Sequence, residues 1–222
     1  LFPTNLHCRV DPMNSSDTRP YRSGWLSAPA KVNLDLAITG RLENGYHTLR
    51  STVVPLSLCD RLRCRFTPGE ETHIDVRVPG FPQLENQSNL IWRVADAFLK
   101  TVSVSGHLDV LLFKSIPDKA GLGGGSSDAA TVLSWLNRSL PEAGWCADEL
   151  IEFGVRFGAD IPLFLHGRAA VMEGIGEQLT PLSECTPDWL VLLRPPADYS
   201  TQAVYQRYDA QVESGNAPAG PN

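Results

Sequence analysis

A glycine-rich run at residues 117–130 constrains the fold of this chain more than any other stretch of its sequence. It reads Pro-Asp-Lys-Ala-Gly-Leu-Gly-Gly-Gly-Ser-Ser-Asp-Ala-Ala, with four glycines and two serines. Residues 108–113 before it are apolar apart from Asp109 and have the length of a strand. After it, apolar residues follow one face of a helix, at Ala129, Val132, Leu133, Leu136 and Leu140. The pattern therefore predicts a strand, a glycine-rich loop and the N-terminus of a helix.

A loop of this composition at a helix N-terminus is suited to bind an anion. The first N–H groups of a helix have no partner within it, and the helix dipole is positive at that end. Glycines have no Cβ atom that would hold a phosphate away from the backbone. We expect Ser126 or Ser127 to cap the helix or to donate to a phosphate oxygen. The alternative is a tight loop whose glycines only permit unusual backbone angles, and the pattern favours the phosphate site.

The loop does not match the commoner phosphate-binding motifs. A Walker A loop contains Gly-Lys followed by Ser or Thr, and the chain has no Gly-Lys pair. A dinucleotide-binding fingerprint has glycine at its sixth position, and counting from Gly121 that position is Ser126. A different phosphate-binding architecture is therefore expected.

The composition disfavours several broad classes of function. The 222 residues suffice for one large or two modest domains, and the 42% hydrophobic content permits a core. The formal net charge of −6 disfavours a broad nucleic-acid or membrane-surface role. No apolar run approaches membrane-spanning length, and no signal-peptide core begins the chain. Five cysteines, none in a C-x-x-C pair, predict ordinary thiols in a reducing compartment.

Residues 27–39 alternate in polarity, which predicts a strand with one apolar face. That face holds Val32, Leu34, Leu36 and Ile38. Lys31 and Asn33 are neighbours on the other face, and this pattern alone favours a solvated lysine over a functional one. Residues 41–45 then form an Asn-Gly turn, followed by Tyr46 and His47. This aromatic and imidazole pair is able to bind a ligand, although such pairs are more often structural.

Asp160 lies in a turn between Gly158, which is expected to close a helix, and Pro162. The C-terminus of a helix is unfavourable for a negative charge, so this aspartate requires a cation or a hydrogen-bond donor. A turn-forming aspartate is the structural alternative, and the pattern alone slightly favours it. The remaining pattern predicts a helix over 90–98 capped by Ser88 or Asn89, a helix from 200 to 208, and strands at 62–66, 74–78, 169–172 and 189–193.

Separated segments of the chain resemble one enzyme family. Residues 28–34 (Ala-Pro-Ala-Lys-Val-Asn-Leu), 117–130 and 157–162 (Phe-Gly-Ala-Asp-Ile-Pro) resemble the signature blocks of the GHMP kinase superfamily. Within the superfamily, the Gly-Leu-Gly-Gly-Gly-Ser-Ser form of the loop and residues 44–49 (Asn-Gly-Tyr-His-Thr-Leu) resemble the 4-diphosphocytidyl-2-C-methyl-D-erythritol kinases. The resemblance covers about residues 27–208.

The resemblance implies an α+β fold of GHMP kinase type. Its N-terminal, ATP-binding domain resembles ribosomal protein S5 and is expected at 27–183. Residues 184–222 are expected to begin a ferredoxin-like C-terminal α/β domain, which is incomplete here because members of the family continue past this chain's end. We expect a flexible extension at 1–26 and a disordered tail at 214–222.

The resemblance implies transfer of a phosphoryl group from ATP to the 2-hydroxyl of the cytidyl-diphosphate sugar alcohol, in the non-mevalonate isoprenoid pathway. By position, Asp160 is the catalytic base and Lys31 its partner. Asn89 and Lys114 correspond to residues that hold the adenosine, and Asn33, Tyr46, His47, Thr201 and Tyr205 to residues that hold the cytidyl substrate. The ATP phosphates correspond to the loop residues Pro117, Asp118, Lys119, Ala120, Gly121, Leu122, Gly123, Gly124, Gly125, Ser126 and Ser127.

Such an enzyme uses Mg²⁺ with ATP, and Asp128 is expected to point away from the phosphates or to help hold the metal. The resemblance further implies a cytoplasmic monomer or weak homodimer that binds a small molecule and neither nucleic acid nor membrane. Two alternatives stay open: a GHMP kinase with a different small alcohol as substrate, and a nucleotide-binding remnant without catalysis.

Overall fold

The structure is a computed structural model that describes residues 19–43, 45–183, 189–193 and 201–214. Within these ranges the chain forms eight strands and five α-helices. The strands are β1 (Tyr21–Arg22), β2 (Leu26–Asn33), β3 (Ala37–Arg41), β4 (His47–Pro68), β5 (His73–Arg77), β6 (Gly106–Phe113), β7 (Ala170–Gly174) and β8 (Gln178–Pro181). The helices are α1 (Leu90–Thr101), α2 (Gly124–Ser139), α3 (Ala147–Gly154), α4 (Ile161–His166) and α5 (Thr201–Glu213).

Strand β4 is the centre of the sheet, because its 22 residues pair with strands on both sides. Strands β1, β2 and β3 pair with it along one edge, and β6 and β7 pair with it along the other, all antiparallel. Strand β5 is parallel to β6, and β8 is antiparallel to β7. The mixed sheet with helices confirms the predicted α+β class.

The alternation along β4 separates the two faces of the sheet. Leu62, Cys64 and Phe66 are buried, whereas Arg61, Arg63 and Arg65, which alternate with them, are exposed. Helices α1 and α2 pack on the buried face, where their apolar sides meet Leu108, Val110 and Leu112 of β6 in one core. Helices thus cover one face of the sheet, and among the described residues none packs on the face that carries these arginines.

The predicted single strand over 27–39 is interrupted in the structure. Strand β2 ends at Asn33 and β3 begins at Ala37, with exposed Leu34 and Leu36 between them. The register of β2 against β4 also shifts between Pro29 and Lys31, which is the signature of a β-bulge. A bulge reverses the alternation of side chains, so a strict period of two assigns the wrong face beyond it.

Other sequence predictions differ in their boundaries. Residues 189–193 were predicted as a strand and have no regular structure, with Trp189 97% exposed. The predicted extension over 1–26 contains β1 where it is described, and residues 1–18 lie outside the described ranges. Helix α3 ends at Gly154 and not at Gly158. The predicted tail lies outside the described residues from 215 onward.

The remaining predicted elements are present. Helix α1 over Leu90–Thr101 and helix α5 over Thr201–Glu213 confirm two predicted helices. Among the described residues, no helix combines the length and the apolar character that a membrane crossing requires.

Candidate functional site

The glycine-rich loop leads directly from β6 into α2. Gly123 is the N-cap residue in the left-handed region, at φ 70° and ψ 16°, and the first helical bond runs from the Ser127 N–H to the Gly123 carbonyl over 2.9 Å. The prediction that Ser126 or Ser127 caps the helix is therefore wrong, because the helix already begins at Gly124. Its first amides, from Gly124 to Ser126, are those that a helix leaves without internal partners.

An open cleft of about 240 Å³ lies in front of this helix start. Its walls are Leu90, Lys114, Ile116 and residues 117–126. The cleft thus brings together Lys114 and ten of the eleven loop residues predicted to bind the ATP phosphates, while the remaining one, Ser127, is fully buried. A small concave site lined by a glycine loop at a positive helix end has the shape and polarity for a phosphate chain.

Two glycines of the loop are in close contact with their surroundings. A Cβ atom at Gly123 would lie 2.8 Å from the Phe164 ring and 3.1 Å from Lys31 Cγ, in a conformation with positive φ. A Cβ atom at Gly124 would lie 3.2 Å from Lys114 Nζ. Gly125 differs, because nothing lies within 4 Å of the position a Cβ would take. The absence of a side chain at Gly123 and Gly124 therefore allows neighbouring side chains to pack against the loop, whereas the space beside Gly125 is open.

Lys114 is held between two buried carboxylates. Its Nζ donates to Asp128 Oδ2 at 2.8 Å and makes a short hydrogen bond to Asp60 Oδ2. The other oxygen of Asp60 accepts from the Ser115 and Ile116 N–H groups, the latter at 2.8 Å. Asp128 was expected to point away from the phosphates or to help hold the metal. In the structure its Oδ2 pairs with Lys114. Its Oδ1 is buried without a hydrogen-bond partner among the described residues.

The electrostatics of this trio follow from burial. Burial raises the pKa of Asp128 to about 7, since the attraction of Lys114 is partly offset by repulsion from Asp60. For Lys114, burial lowers the pKa, but its pairs with Asp128 and Asp60 outweigh this effect, so the pKa lies above its ordinary value. The ammonium is therefore retained, and the trio keeps a fixed positive group at the cleft wall.

Asp60 was not identified from the sequence. It has the same parity along β4 as Leu62 and Cys64, so the alternation of the strand already places it on the buried face. An aspartate at a core position requires a partner, and this was the signal available in the sequence. Its partner Lys114 lies 54 residues away along the chain, so the pairing depends on the fold.

Asn89 caps helix α1. Its Oδ1 accepts from the Ile91 N–H at 2.9 Å, and its Nδ2 donates to the Leu84 carbonyl at 2.8 Å. The predicted cap is thus confirmed. The side chain is not part of the cleft wall, although the next residue, Leu90, is.

Lys31 is buried, so the prediction from the strand pattern that this lysine is solvated is wrong. It follows the register shift between β2 and β4, beyond which its side chain is buried, and its backbone N–H donates to the Leu122 carbonyl at 2.9 Å. Its Nζ donates to Asn33 Oδ1 at 2.6 Å, and Asn33 Nδ2 donates to Ser51 Oγ at 2.6 Å. Lys31 and Asn33 therefore belong to one polar network that is attached to the glycine loop.

Asp160 precedes helix α4 as its N-cap residue, half-buried and with no side-chain capping bond. The prediction that Asp160 lies at the C-terminus of a helix is therefore wrong, because α3 ends at Gly154. Helix α4 packs against α2, and its Phe164 shares the surroundings of Gly123 with Lys31. Gly158 also lies beside the loop, because a Cβ atom placed on it would be 3.5 Å from Ser126 Oγ. The segments that carry Lys31 and Asp160 thus both adjoin the loop.

Two of the predicted substrate residues, Tyr46 and His47, lie where the turn leads into β4. His47 Nε2 is 2.6 Å from Asp209 Oδ1, and its ring is edge-on to Tyr208 at 6.3 Å. Tyr46 is 64% exposed. The side chains of Thr201 and Tyr205 lie outside the described part of α5. Asp209, on the same helix, was missed because nothing local in the sequence links it to His47.

The sequence matches the GHMP kinases N terminal domain family over residues 89–168. The 4-diphosphocytidyl-2-C-methyl-D-erythritol kinase of Geobacter sulfurreducens is 42% identical over 193 residues, which are 85% of this chain and 67% of that protein. The protein of the same name from Citrifermentans bemidjiense is 41% identical over 181 residues, which are 82% of this chain and 64% of that protein. This chain thus spans about two thirds of the length of its curated relatives.

A crystal structure of 4-(cytidine 5'-diphospho)-2C-methyl-D-erythritol kinase superposes with a TM-score of 0.60 at 41% identity, over 72% of this chain and 55% of that chain. Homoserine kinase from Cytophaga hutchinsonii superposes with a TM-score of 0.54 at 14% identity, over 92% of this chain and 69% of that chain, and shows a shared fold. The chain belongs to the family of the 4-diphosphocytidyl-2-C-methyl-D-erythritol kinases, within the GHMP kinases.

Proposed function

We propose that this protein transfers the γ-phosphoryl group of ATP to the 2-hydroxyl of 4-diphosphocytidyl-2-C-methyl-D-erythritol, a step of the non-mevalonate isoprenoid pathway. One observation carries the proposal: the Lys31 N–H is bonded to the Leu122 carbonyl, so the lysine of one family block is joined to the phosphate loop of another. The name and the 41–42% identity of the curated relatives support the choice of substrate.

The triphosphate binds at the start of α2. The amides of Gly124, Gly125 and Ser126 point out of the helix end, where the dipole favours negative charge. The open space at Gly125 allows phosphate oxygens to approach the main chain. Lys114 has three N–H donors and uses two of them on Asp60 and Asp128. Its third donor is available to the nucleotide.

The acceptor is activated by Asp160 and Lys31. Phosphoryl transfer depends mainly on positioning and on charge stabilisation, so a single carboxylate that accepts or orients the substrate hydroxyl is sufficient. Lys31 is buried, and surroundings of low dielectric constant strengthen the effect of an ammonium on a neighbouring anion. In this proposal the Lys31 ammonium stabilises the charge that develops on the transferred group. Asn33 holds the Lys31 ammonium in position through its Oδ1.

The residues beside the loop fit Mg²⁺. The buried oxygens Ser127 Oγ and Asp128 Oδ1 have no hydrogen-bond partner among the described residues, and Mg²⁺ prefers oxygen ligands. We propose these two residues as its protein ligands. When bound, the ion neutralises charge on the phosphate oxygens.

The cytidyl group is held at the turn before β4. Tyr46 presents an exposed ring for stacking on the base, and Asp209 fixes the orientation of the His47 ring through its 2.6 Å contact. Asn33, Thr201 and Tyr205 complete the substrate residues of this proposal.

Residues 27–183 form the ATP-binding domain of this proposal, and residues 184–222 belong to a second domain. The support is that the buried residues of both hydrophobic clusters lie between Ala28 and Met172. The cytoplasm is the proposed location, because Cys59, Cys64 and Cys146 are free thiols, which a reducing compartment maintains.

A coupled assay of ADP release tests the function. The chain, ATP and Mg²⁺ are incubated with the cytidyl substrate, and homoserine and mevalonate serve as control acceptors. We expect ADP release only with the cytidyl substrate, and competition by CMP. Equal rates with a control acceptor would favour a different GHMP kinase activity. ATP binding by calorimetry without any turnover would favour the non-catalytic alternative.

A further inference from the structure

A second cluster of polar side chains lies on the sheet, where β5 runs parallel to β6. In this register His73 is opposite His107, and Asp75 is opposite Asp109. These four residues alternate with the buried Val76, Leu108 and Val110, so they share the face opposite to the one on which the described helices α1 and α2 pack. The cluster lies at the start of β6, whereas the glycine loop follows its end, so it is separate from the nucleotide cleft.

Three of these residues converge on one point. His107 Nε2 is 2.7 Å from Asp75 Oδ2 and 3.7 Å from Asp109 Oδ1, and the three ligand atoms all lie within 4.8 Å of one another. A Zn²⁺ ion with ligands at about 2.0–2.2 Å holds its ligand atoms roughly 3.3 Å apart. The observed separations bracket this value, so small rotations of the side chains would complete a site.

Asp75 and Asp109 place two carboxylates opposite each other, and Arg77 lies on the same face of β5 as Asp75. Two carboxylates directly opposite each other on neighbouring strands repel and destabilise the pairing. Arg65 lies opposite Asp109 on β4, but no ion pair joins it to Asp109 among the described residues. The group that does stand between the two carboxylates is His107, whose imidazole is also the commonest metal ligand. A divalent ion bound by all three groups would remove the repulsion.

We propose that Asp75, His107 and Asp109 bind one divalent transition-metal ion of the Zn²⁺ type, with water as the remaining ligand. One imidazole nitrogen and two carboxylate oxygens are donors that suit Zn²⁺, in a site with three protein ligands. His73 stays outside the site, because its Nε2 pairs with Glu71 Oε2 at 3.4 Å. The bound ion joins the strand β5 to β6.

Titration of the metal-stripped full chain with Zn²⁺ by isothermal calorimetry tests this proposal. We expect one saturable site per chain and a higher melting temperature with Zn²⁺ than without it. His107→Gln and Asp75→Asn each remove one of three ligands, and each should weaken Zn²⁺ binding about tenfold or more. Circular dichroism establishes that each variant is folded before its affinity is compared.

Two variants serve as matched controls. His73→Gln removes the histidine at the same register on the neighbouring strand, and Asp96→Asn removes a carboxylate that pairs with Lys100 on α1. Both should bind Zn²⁺ as the unaltered chain does. The proposal is overturned by absence of saturable binding, by equal affinity in the folded His107→Gln variant, or by loss of binding in His73→Gln. Co²⁺ titration adds a spectroscopic test, because a thiolate charge-transfer band would place the metal on cysteines.

Discussion

Lys114 Nζ lies 2.8 Å from Asp128 Oδ2, and this buried pair joins the end of β6 to the first turns of α2. The glycine loop is the chain segment between these two residues, so their contact closes the loop at its base. Asp60 reinforces the closure, because it accepts from the backbone of Ser115 and Ile116. The shape of the cleft therefore depends on a small ionic cluster at its wall as well as on the glycines.

The pH dependence of stability is expected to carry the signature of Asp128. Its folded-state pKa of about 7 lies above the ordinary value of 3.8. Between these values the folded state retains a proton that the unfolded state releases, so the free energy of unfolding falls as pH rises through this window. Each pKa unit corresponds to about 1.4 kcal/mol. Urea unfolding between pH 4 and pH 8 measures the effect.

The control for this prediction is Asp128→Asn. It removes the titrating carboxyl and leaves Lys114 paired with Asp60, so we expect a flatter stability profile across the same window. Asp96→Asn, on α1, should retain the slope of the unaltered chain. An identical slope in Asp128→Asn would show that other groups are responsible.

A methyl group at Gly125 should weaken nucleotide binding without harming the fold. No atom lies within 4 Å of the position its Cβ would take, and alanine is a better helix former than glycine. A phosphate at the helix start would meet the methyl group directly. We expect Gly125→Ala to lose about tenfold in ATP affinity, or ~1.4 kcal/mol, with an unchanged or higher melting temperature. Calorimetry with ATP and a thermal melt measure the two quantities.

Gly123→Ala provides the contrast. At Gly123 the added Cβ would clash with Phe164, and the backbone has positive φ, so we expect losses of both stability and affinity. If Gly125→Ala bound ATP as tightly as the unaltered chain, the phosphates would not lie against this helix start.

The glycine loop was predictable because its chemistry is local. The consecutive glycines and the helical pattern that follows them lie within one short stretch. That stretch alone therefore predicts that the glycines stand at the start of a helix, where α2 begins. The cap was misplaced by a few residues, because Gly123 reaches the left-handed conformation that allows the helix to begin before the serines. Helix boundaries of this kind depend on backbone geometry that the residue types do not encode uniquely.

The burial of Lys31 was not predictable from its strand. The direction of the Lys31 side chain depends on the register shift in the pairing of β2 with β4. Such a shift depends on both strands, so the sequence of β2 alone does not predict it. The Asp60–Lys114 pair was missed for a related reason, since its members are 54 residues apart. The motif resemblance nevertheless predicts a role for Lys31, because it rests on residue types and not on the periodicity.

Asn89 allows a test of whether a family position acts through structure or through the nucleotide. Its side chain already bonds the Ile91 N–H and the Leu84 carbonyl, so Asn89→Ala should destabilise the chain by about 1 kcal/mol through loss of the cap. ATP affinity should fall only slightly, because Leu90 and not Asn89 lines the cleft. A large loss of affinity with unchanged unfolding would instead assign Asn89 to direct nucleotide binding.

Substitution of the proposed catalytic pair should abolish turnover while the fold is retained. Asp160 is half-buried and makes no capping bond, so Asp160→Asn removes little from the structure. We expect kcat to fall about 10²-fold or more, since a positioned proton acceptor contributes about 10²–10⁴ in rate. Lys31→Met keeps most of the buried side-chain volume and removes the charge, so it should lower kcat with little change in ATP affinity. Lys100→Met, on an exposed side chain that pairs with Asp96 on α1, is the matched control for loss of a cation. If either catalytic variant turned over at the rate of this control, that residue would have no part in phosphoryl transfer.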